Sequence, residues 1–380
     1  MIHIIKNGKV YSPGKLGEKD ILFVNNKIVE IGDSIRLTGV ETHIIDARGK
    51  YVCPGFIDQH VHITGGGGQA GFASFVTEVN VSELVSVGTT TVMGLLGTDG
   101  FVKELSTLYA KAKALDMEGI TAFMLTGFYG LPEKTITGSV AEDLIYIDKV
   151  IGCKLALSDD RCSFPSEHEL LRLVNQVKLG GFTSGKHGII HIHLGGLESK
   201  IDTLLSIARK YPTLIPYLSP THVIRTEPLF TDCMAFARMG GMIDISTGGT
   251  KFTEPHKAVG LALEMGVPLG NMTFSSDGRG GVKRIDPVSG AMTYRPAPLH
   301  LNYLEMTRLV LSGILPLEEA LQLITVNPAG NMKIKGKGRI APGYDADFVF
   351  LDESLNITDV YANGKAMMCD NELKIVNPYE

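Results

Sequence analysis

His60 and His62 stand two positions apart in the run Pro54 to Gly68. Alternate residues of a strand point to the same face, so both imidazoles face one way with their Cα atoms roughly 6 to 7 Å apart. Such a pair can hold one metal ion. An isolated His-x-His is more often an ordinary strand-end pair, because short motifs match by chance. Downstream residues change that weighting. Lys154 sits inside the apolar run Val150 to Leu157, His191 and His193 repeat the two-residue spacing, and His222 and Asp277 end two further strand-like runs. A lone lysine in such a run would usually snorkel its amine to water. Beside metal ions its ammonium would be disfavoured by like charge, whereas a carboxylated Lys154 would be an anion able to bridge two metals. His191 lies one layer deeper than His193 and reads as a packed histidine. Asp58, of the same parity as His60, reads as structural. His3, His43, His168, His187, His256 and His300 have no strand-end placement and read as surface or structural.

The elements that must position these residues alternate buried-type strands with helical periodicity, the pattern of a parallel sheet. Eight candidate strands fall at Phe56 to His62, Thr90 to Leu96, Thr121 to Phe128, Ile151 to Ser158, Gly188 to Leu194, Ile215 to His222, Met242 to Ser246 and Met272 to Asp277. Eight parallel strands close a barrel, whose site residues sit at the carboxyl ends of the strands. The polar residues collect there. Ser139 with Glu142 and Ser166 with Glu169 match capping boxes, Gly180-Gly181 offers a helix stop, and Pro316 a first helical residue. Leu299 to Ser312 and Leu317 to Thr325 are expected to close the barrel as helices.

Both chain ends are short strand-like runs broken by turn signals such as Asn7-Gly8, Asn25-Asn26, Asn363-Gly364 and Asp370-Asn371. Leu373 to Val376 is expected as the last strand. The reading is an α/β fold: a (β/α)8 TIM-type barrel over 54–332, with a small β-sandwich domain built from 1–53 and 333–380. The Gly278 to Pro298 loop, rich in glycine, proline and charge, is a candidate lid.

Composition narrows the function classes. The 380 residues carry a formal net charge of −5 with both signs interspersed, without the basic patch that nucleic-acid binding needs. No apolar run is long enough to span a membrane, and the N-terminal residues turn charged after five positions, unlike a signal peptide. Five widely spaced cysteines with no C-x-x-C pair are expected as free thiols in a reducing cytoplasm.

Four histidines, a lysine and an aspartate on five strands resemble the metal centre of the amidohydrolase superfamily. Within it the chain is similar to isoaspartyl dipeptidases (β-aspartyl peptidases). The likeness runs through Gly65-Gly66-Gly67-Gly68, Gly94 to Thr98, Leu125 to Tyr129, Thr137 to Ser139, Ser158 to Arg161, Pro220 to Arg225, Ser275 to Gly278 and Gly336 to Asp347. What the resemblance implies is a hydrolase with two Zn2+ per subunit that cleaves β-aspartyl dipeptides by metal-activated hydroxide attack. His60 and His62 match ligands of one ion, His193 and His222 those of the other. Lys154 matches the carboxylated bridging lysine, and Asp277 the aspartate that ligates and shuttles the proton. Tyr129 matches a tyrosine that hydrogen-bonds the developing oxyanion. Arg161 and Arg225 match arginines that grip substrate carboxylates, and Gly67 and Thr98 match contacts to the aspartyl end. The resemblance also implies a homo-oligomer.

Two positions depart from that pattern. Gln69 replaces a glutamate that holds the substrate ammonium, which would weaken a charge-assisted hydrogen bond by about 1 to 2 kcal/mol. Gly281 replaces a serine that contacts the aspartyl carboxylate, and Arg279, Lys283 or Arg284 could compensate. An alternative is a related amidohydrolase acting on an N-acyl amino acid or a cyclic amide. A catalytically silent scaffold is a third reading, opposed by the complete ligand set.

Overall fold

The computed structural model describes residues 1–285, 290, 292–375 and 377. Its centre is a parallel sheet of eight strands, β1 Phe56–Val61, β2 Thr89–Gly94, β3 Thr121–Gly127, β4 Val150–Leu157, β5 Ile189–Leu194, β6 Leu218–Thr221, β7 Ile243–Ser246 and β8 Met272–Ser275, each hydrogen-bonded to the next in sequence. The sheet comes nearly to closure, with Val61 bridging to Gly278 just past β8 and His62 N–H donating to the Gly278 carbonyl at 2.9 Å. Seven of the eight strands are buried along their lengths, and in β3 only Thr121 and Phe123 are partly exposed, as expected of a parallel barrel, since side chains fill one face and helices cover the other.

The residues inside this barrel are unusually polar. Gln59, His191, Ser219, Asp244, Thr273 and Ser275 are each at most 1% exposed. Asp244 accepts hydrogen bonds from Gln59, Thr221, Thr273 and Ser275, which offsets the cost of burying a carboxylate. The chain ends form a separate nine-stranded sheet, running from Ile2–Tyr11 through Tyr51–Pro54 to Phe348–Leu351 and Glu372–Leu373. It encloses its own core, including Ile5, Phe23, Val52, Phe348 and Phe350. Among the described residues no helix is long and apolar enough to cross a membrane.

Several local expectations are corrected. Asn7-Gly8 is a bulge inside the strand Ile2–Tyr11, where the register shifts and Asn7 takes a φ of 59°. Gly180 and Gly181 do not end their helix, which runs Glu167–Ser184 and stops at left-handed Gly185. A Cβ on Gly180 would lie 2.8 Å from the Ala141 carbonyl and one on Gly181 2.0 Å from that of His187, so both glycines serve close packing. The Ser166–Glu169 capping box is reciprocal, while at Ser139 only the hydroxyl-to-Glu142 amide half forms.

Residues Pro212–Tyr217 form a 3-10 turn, which takes in Ile215 to Tyr217 of the strand expected over Ile215 to His222. Pro216 has no N–H to give a ladder, and β6 is only Leu218–Thr221. Pro316 caps the helix Leu317–Ala320 from outside it. A helix at Val326–Met332, which sequence periodicity missed, follows. Within the candidate lid, Gly281–Ile285 and Met292–Pro296 pair as an antiparallel hairpin. Residues 286–289 and 291 lie outside the described residues, as does Val376 of the last expected strand, which is seen as Glu372–Leu373.

Candidate metal centre and active site

The strand ends bring the predicted residues together. His60 is the fifth residue of β1 and His62 follows its last residue, both facing Asp277, which lies two residues past β8. The Nε2 atoms of His60 and His62 are 3.3 and 3.4 Å from Asp277 Oδ1. One donor atom from each of the three lies within 4.8 Å of the others. That spacing suits ligands of one divalent cation, whose bonds to nitrogen and oxygen are about 2 Å long. The rings of His60 and His222 have centroids 5.1 Å apart, and those of His222 and His193 4.5 Å, extending the cluster across the barrel mouth. His222 and Asp277 both adopt left-handed backbones, φ 64° and 54°. Histidine and aspartate are among the non-glycine residues that tolerate this region, and the conformation turns the chain inward as it leaves each strand.

Lys154 is fully buried in β4, and its Nζ has no hydrogen-bond partner. Burial pushes its amine down to about 7, although Asp277 and Asp244 pull the other way. A neutral amine near neutral pH is the form that can react with carbon dioxide. Burial, with the Lys154 charge adding to it, pushes His60 down to about 3, and burial takes His193 to about 3 against the opposing pull of Asp159. Burial also lowers His222, as does the neighbouring His193. These three imidazoles are neutral, as metal ligation requires. For His62 burial acts downward but is outweighed by Asp277 and Asp99, leaving it up at about 9. Asp277 is held well below the usual carboxylate range, since its hydrogen bonds to His60 and His62 overcome burial. The residues fit a metal centre: converging donor atoms, three low-lying histidines of the four, and an orphaned buried amine.

Above this centre opens a cleft of about 740 Å³, mouth included, lined by His62, Gly67, Gln69, Thr98, Tyr129, Arg161, His193, Arg225, Asp277 and Gly281, as well as Asp99 and Lys283. All six residues expected to contact substrate therefore line it, while His60, Lys154 and His222 lie buried. Tyr129 O–H is 2.7 Å from His193 Nδ1, and burial pushes the phenol up, keeping its proton. Arg161 is fixed by Asp159 through Nε and Nη2, both at 2.7 Å, and Arg225 by its Nε to the Leu194 carbonyl at 3.0 Å. Both guanidinium groups are thus held by their inner edge, and the outer edge remains for a ligand.

Sequence reasoning missed Asp159, which accepts from His193 Nε2 at 2.9 Å and so leaves the Nδ1 lone pair free, beside the Tyr129 O–H, for a metal ion. A carboxylate behind a ligand histidine is a common device, but Asp159 and Asp160 could not be told apart from the sequence. Asp99, 3.7 Å from His62 Nδ1, was missed because only the fold brings it to a histidine 37 residues away. Of the cations offered to compensate for Gly281, Arg279 is turned aside to pair with Glu83. Lys283 lines the cleft, and the Arg284 side chain lies outside the described residues.

A barrel with such a cluster at the carboxyl ends of its strands has the architecture of a hydrolase. Residues 237–367 match the model of the amidohydrolase family. The chain is 40% identical to β-aspartyl dipeptidase of Fervidobacterium islandicum AW-1 over 100% of both chains, with TM-scores of 0.91 for its complex with β-Asp-Leu and 0.92 for a second structure. It is 24% identical to dihydroorotase of Pelotomaculum thermopropionicum, across 93% of this chain and 89% of that one. A 36% likeness to adenine deaminase of Moorella thermoacetica spans only 26% of this chain and 17% of that one. The chain belongs to the amidohydrolase family and is a hydrolytic enzyme.

Proposed function

We propose that this enzyme is a metal-dependent dipeptidase that cleaves the isopeptide bond of β-aspartyl dipeptides. The observation that carries the reading is the cleft itself: two arginines anchored by their inner edges stand beside a His/Asp centre, in a chain alike end to end to a β-aspartyl dipeptidase. A substrate with carboxylates on both residues suits such a cation-lined cleft.

In this reading His60, His62 and Asp277 would hold one zinc ion and His193 and His222 a second, with carboxylated Lys154 between them. Bound ions of this kind lower the pKa of water towards about 7 and polarise the scissile carbonyl. Asp277 takes the proton of the attacking water and delivers it to the leaving amine. Tyr129 donates its O–H to the carbonyl oxygen as charge develops there. Arg161 and Arg225 hold the carboxylate of the leaving amino acid, while Gly67, Gln69 and Thr98 face the aspartyl end. The cytoplasmic location and the homo-oligomer belong to the same reading, in keeping with five cysteines that are all free.

At the aspartyl end, Gly281 is not a simple lost contact. A Cβ there would lie 2.9 Å from the Gly67 Cα, so the hairpin packs against the glycine loop and leaves no room for a serine. Lys283, on the same face of the strand two residues on, is the cation that takes over the aspartyl carboxylate. Lys283→Met should raise KM for β-Asp-Leu roughly 3- to 10-fold with a smaller change in kcat, the effect of one exposed charge-assisted contact. An unchanged KM would remove Lys283 from this role.

Zinc-loaded protein assayed on β-Asp-Leu, its N-acetylated form, dihydroorotate and adenine tests the reading. Cleavage of the first alone supports it. Gln69 favours one rival, an amidohydrolase of N-acylated substrates, and turnover of the acetylated peptide without the free one would establish that instead.

A further inference from the structure

Below the metal-ligand layer, the barrel interior holds a hydrogen-bonded chain that the mechanism does not use. His60 Nδ1 is 2.9 Å from His191 Nε2, and His191 Nδ1 is 3.1 Å from Ser219 Oγ. Asn331, on the helix Val326–Met332 outside the barrel, donates through Nδ2 to Ser219 Oγ at 2.8 Å and to Gln59 Oε1 at 2.9 Å. Gln59 Nε2 donates to Asp244 Oδ1 at 2.7 Å. Every member is at most 4% exposed. Polarity is set from the far end as far as Ser219 Oγ, which takes an N–H from Asn331 and keeps a second lone pair able to accept from His191. A carboxylate only accepts, so Gln59 must turn its nitrogen to Asp244 and its oxygen to Asn331, and Asn331 must in turn present N–H to Ser219.

Two neutral imidazoles sharing one hydrogen bond have two arrangements. If His191 donates to His60, the His60 proton sits on Nε2 and blocks ligation. If His60 donates from Nδ1, its Nε2 lone pair faces Asp277, and His191 must pass its own N–H on to an acceptor. Ser219 Oγ, held in place by Asn331, is that acceptor. We propose that His191, Ser219 and Asn331 are positioning residues that hold His60 in its metal-binding form. The far end of the barrel is thereby tied to one of its two metal sites. The inference rests on the two-metal reading given above.

The test is zinc affinity, measured by competition with a chromophoric chelator on full-length protein whose fold is checked by circular dichroism. His191→Leu and Ser219→Ala should weaken one of two zinc equivalents by roughly 10- to 100-fold, the usual cost of losing a partner behind a ligand, and leave the other unchanged. His191→Gln, whose amide oxygen can accept from His60, should recover most of the loss. If His191→Leu does not fold, Ser219→Ala alone decides. Wild-type affinity for both equivalents in folded variants would overturn the proposal, and so would equal weakening of both. Failure of the wild-type protein to bind zinc would instead defeat the metal-centre reading.

Discussion

Replacing Lys154 with methionine is expected to abolish turnover and to stabilise the metal-free protein. The side chain is fully buried with no partner for its amine, and leaving a polar group unsatisfied in the core costs about 1 to 3 kcal/mol. Methionine fills a similar volume without that penalty, so Tm of the metal-free protein should rise by roughly 1 to 4 °C. Activity should fall by on the order of 10³- to 10⁴-fold, since metal activation supplies several kcal/mol. A residue kept for packing alone would not behave this way.

The pH dependence follows from the lowered amine at about 7, against about 10.4 in the unfolded chain. Between these values the unfolded state binds more protons, so metal-free wild-type stability rises with pH through that window. The advantage of Lys154→Met should therefore be largest at and below neutral pH and shrink towards pH 10. Thermal melts of both proteins across this range, with metal removed, check the prediction. Zinc loading in bicarbonate should improve in the wild type from pH 6 to pH 9, because the neutral forms of Lys154, at about 7, and of His62, at about 9, are both needed.

Asp277→Asn should reduce kcat by on the order of 10³- to 10⁴-fold, the upper part of what a positioned acid–base group contributes. The left-handed backbone at this position, φ 54°, is one that asparagine adopts readily, so the fold should be undisturbed. Single-turnover and steady-state rates of the folded variant decide the matter. A loss of less than tenfold would take the proton-transfer role away from Asp277.

The barrel was legible because eight buried runs alternate with helical segments. The site was legible because histidines, a lysine and an aspartate are costly at buried strand ends unless something uses them. Less legible were features set by contacts between distant residues. Gly180 and Gly181 read as a helix stop, and only the neighbouring Ala141 and His187 show why a Cβ is excluded there. Asp159, Asp244 and Asn331 gain their meaning from His193, Gln59 and Ser219, partners that lie 34, 185 and 112 residues away. Pro216 carried its own signal, a missing N–H, which the apolar run around it outweighed. At the substrate end, the closeness of Gly281 to Gly67 turns a missing serine into a changed wall, which a residue-by-residue likeness could not reveal.

The central claim is best tested by the initial rates of zinc-loaded protein on β-aspartyl-leucine and α-aspartyl-leucine, measured side by side. The account predicts rapid cleavage of the β-linked peptide and at least a hundredfold slower cleavage of the α-linked one, the order of discrimination a site built for one geometry can reach. Equal rates on the two, or no cleavage of the β-linked peptide by fully metallated protein, would contradict it.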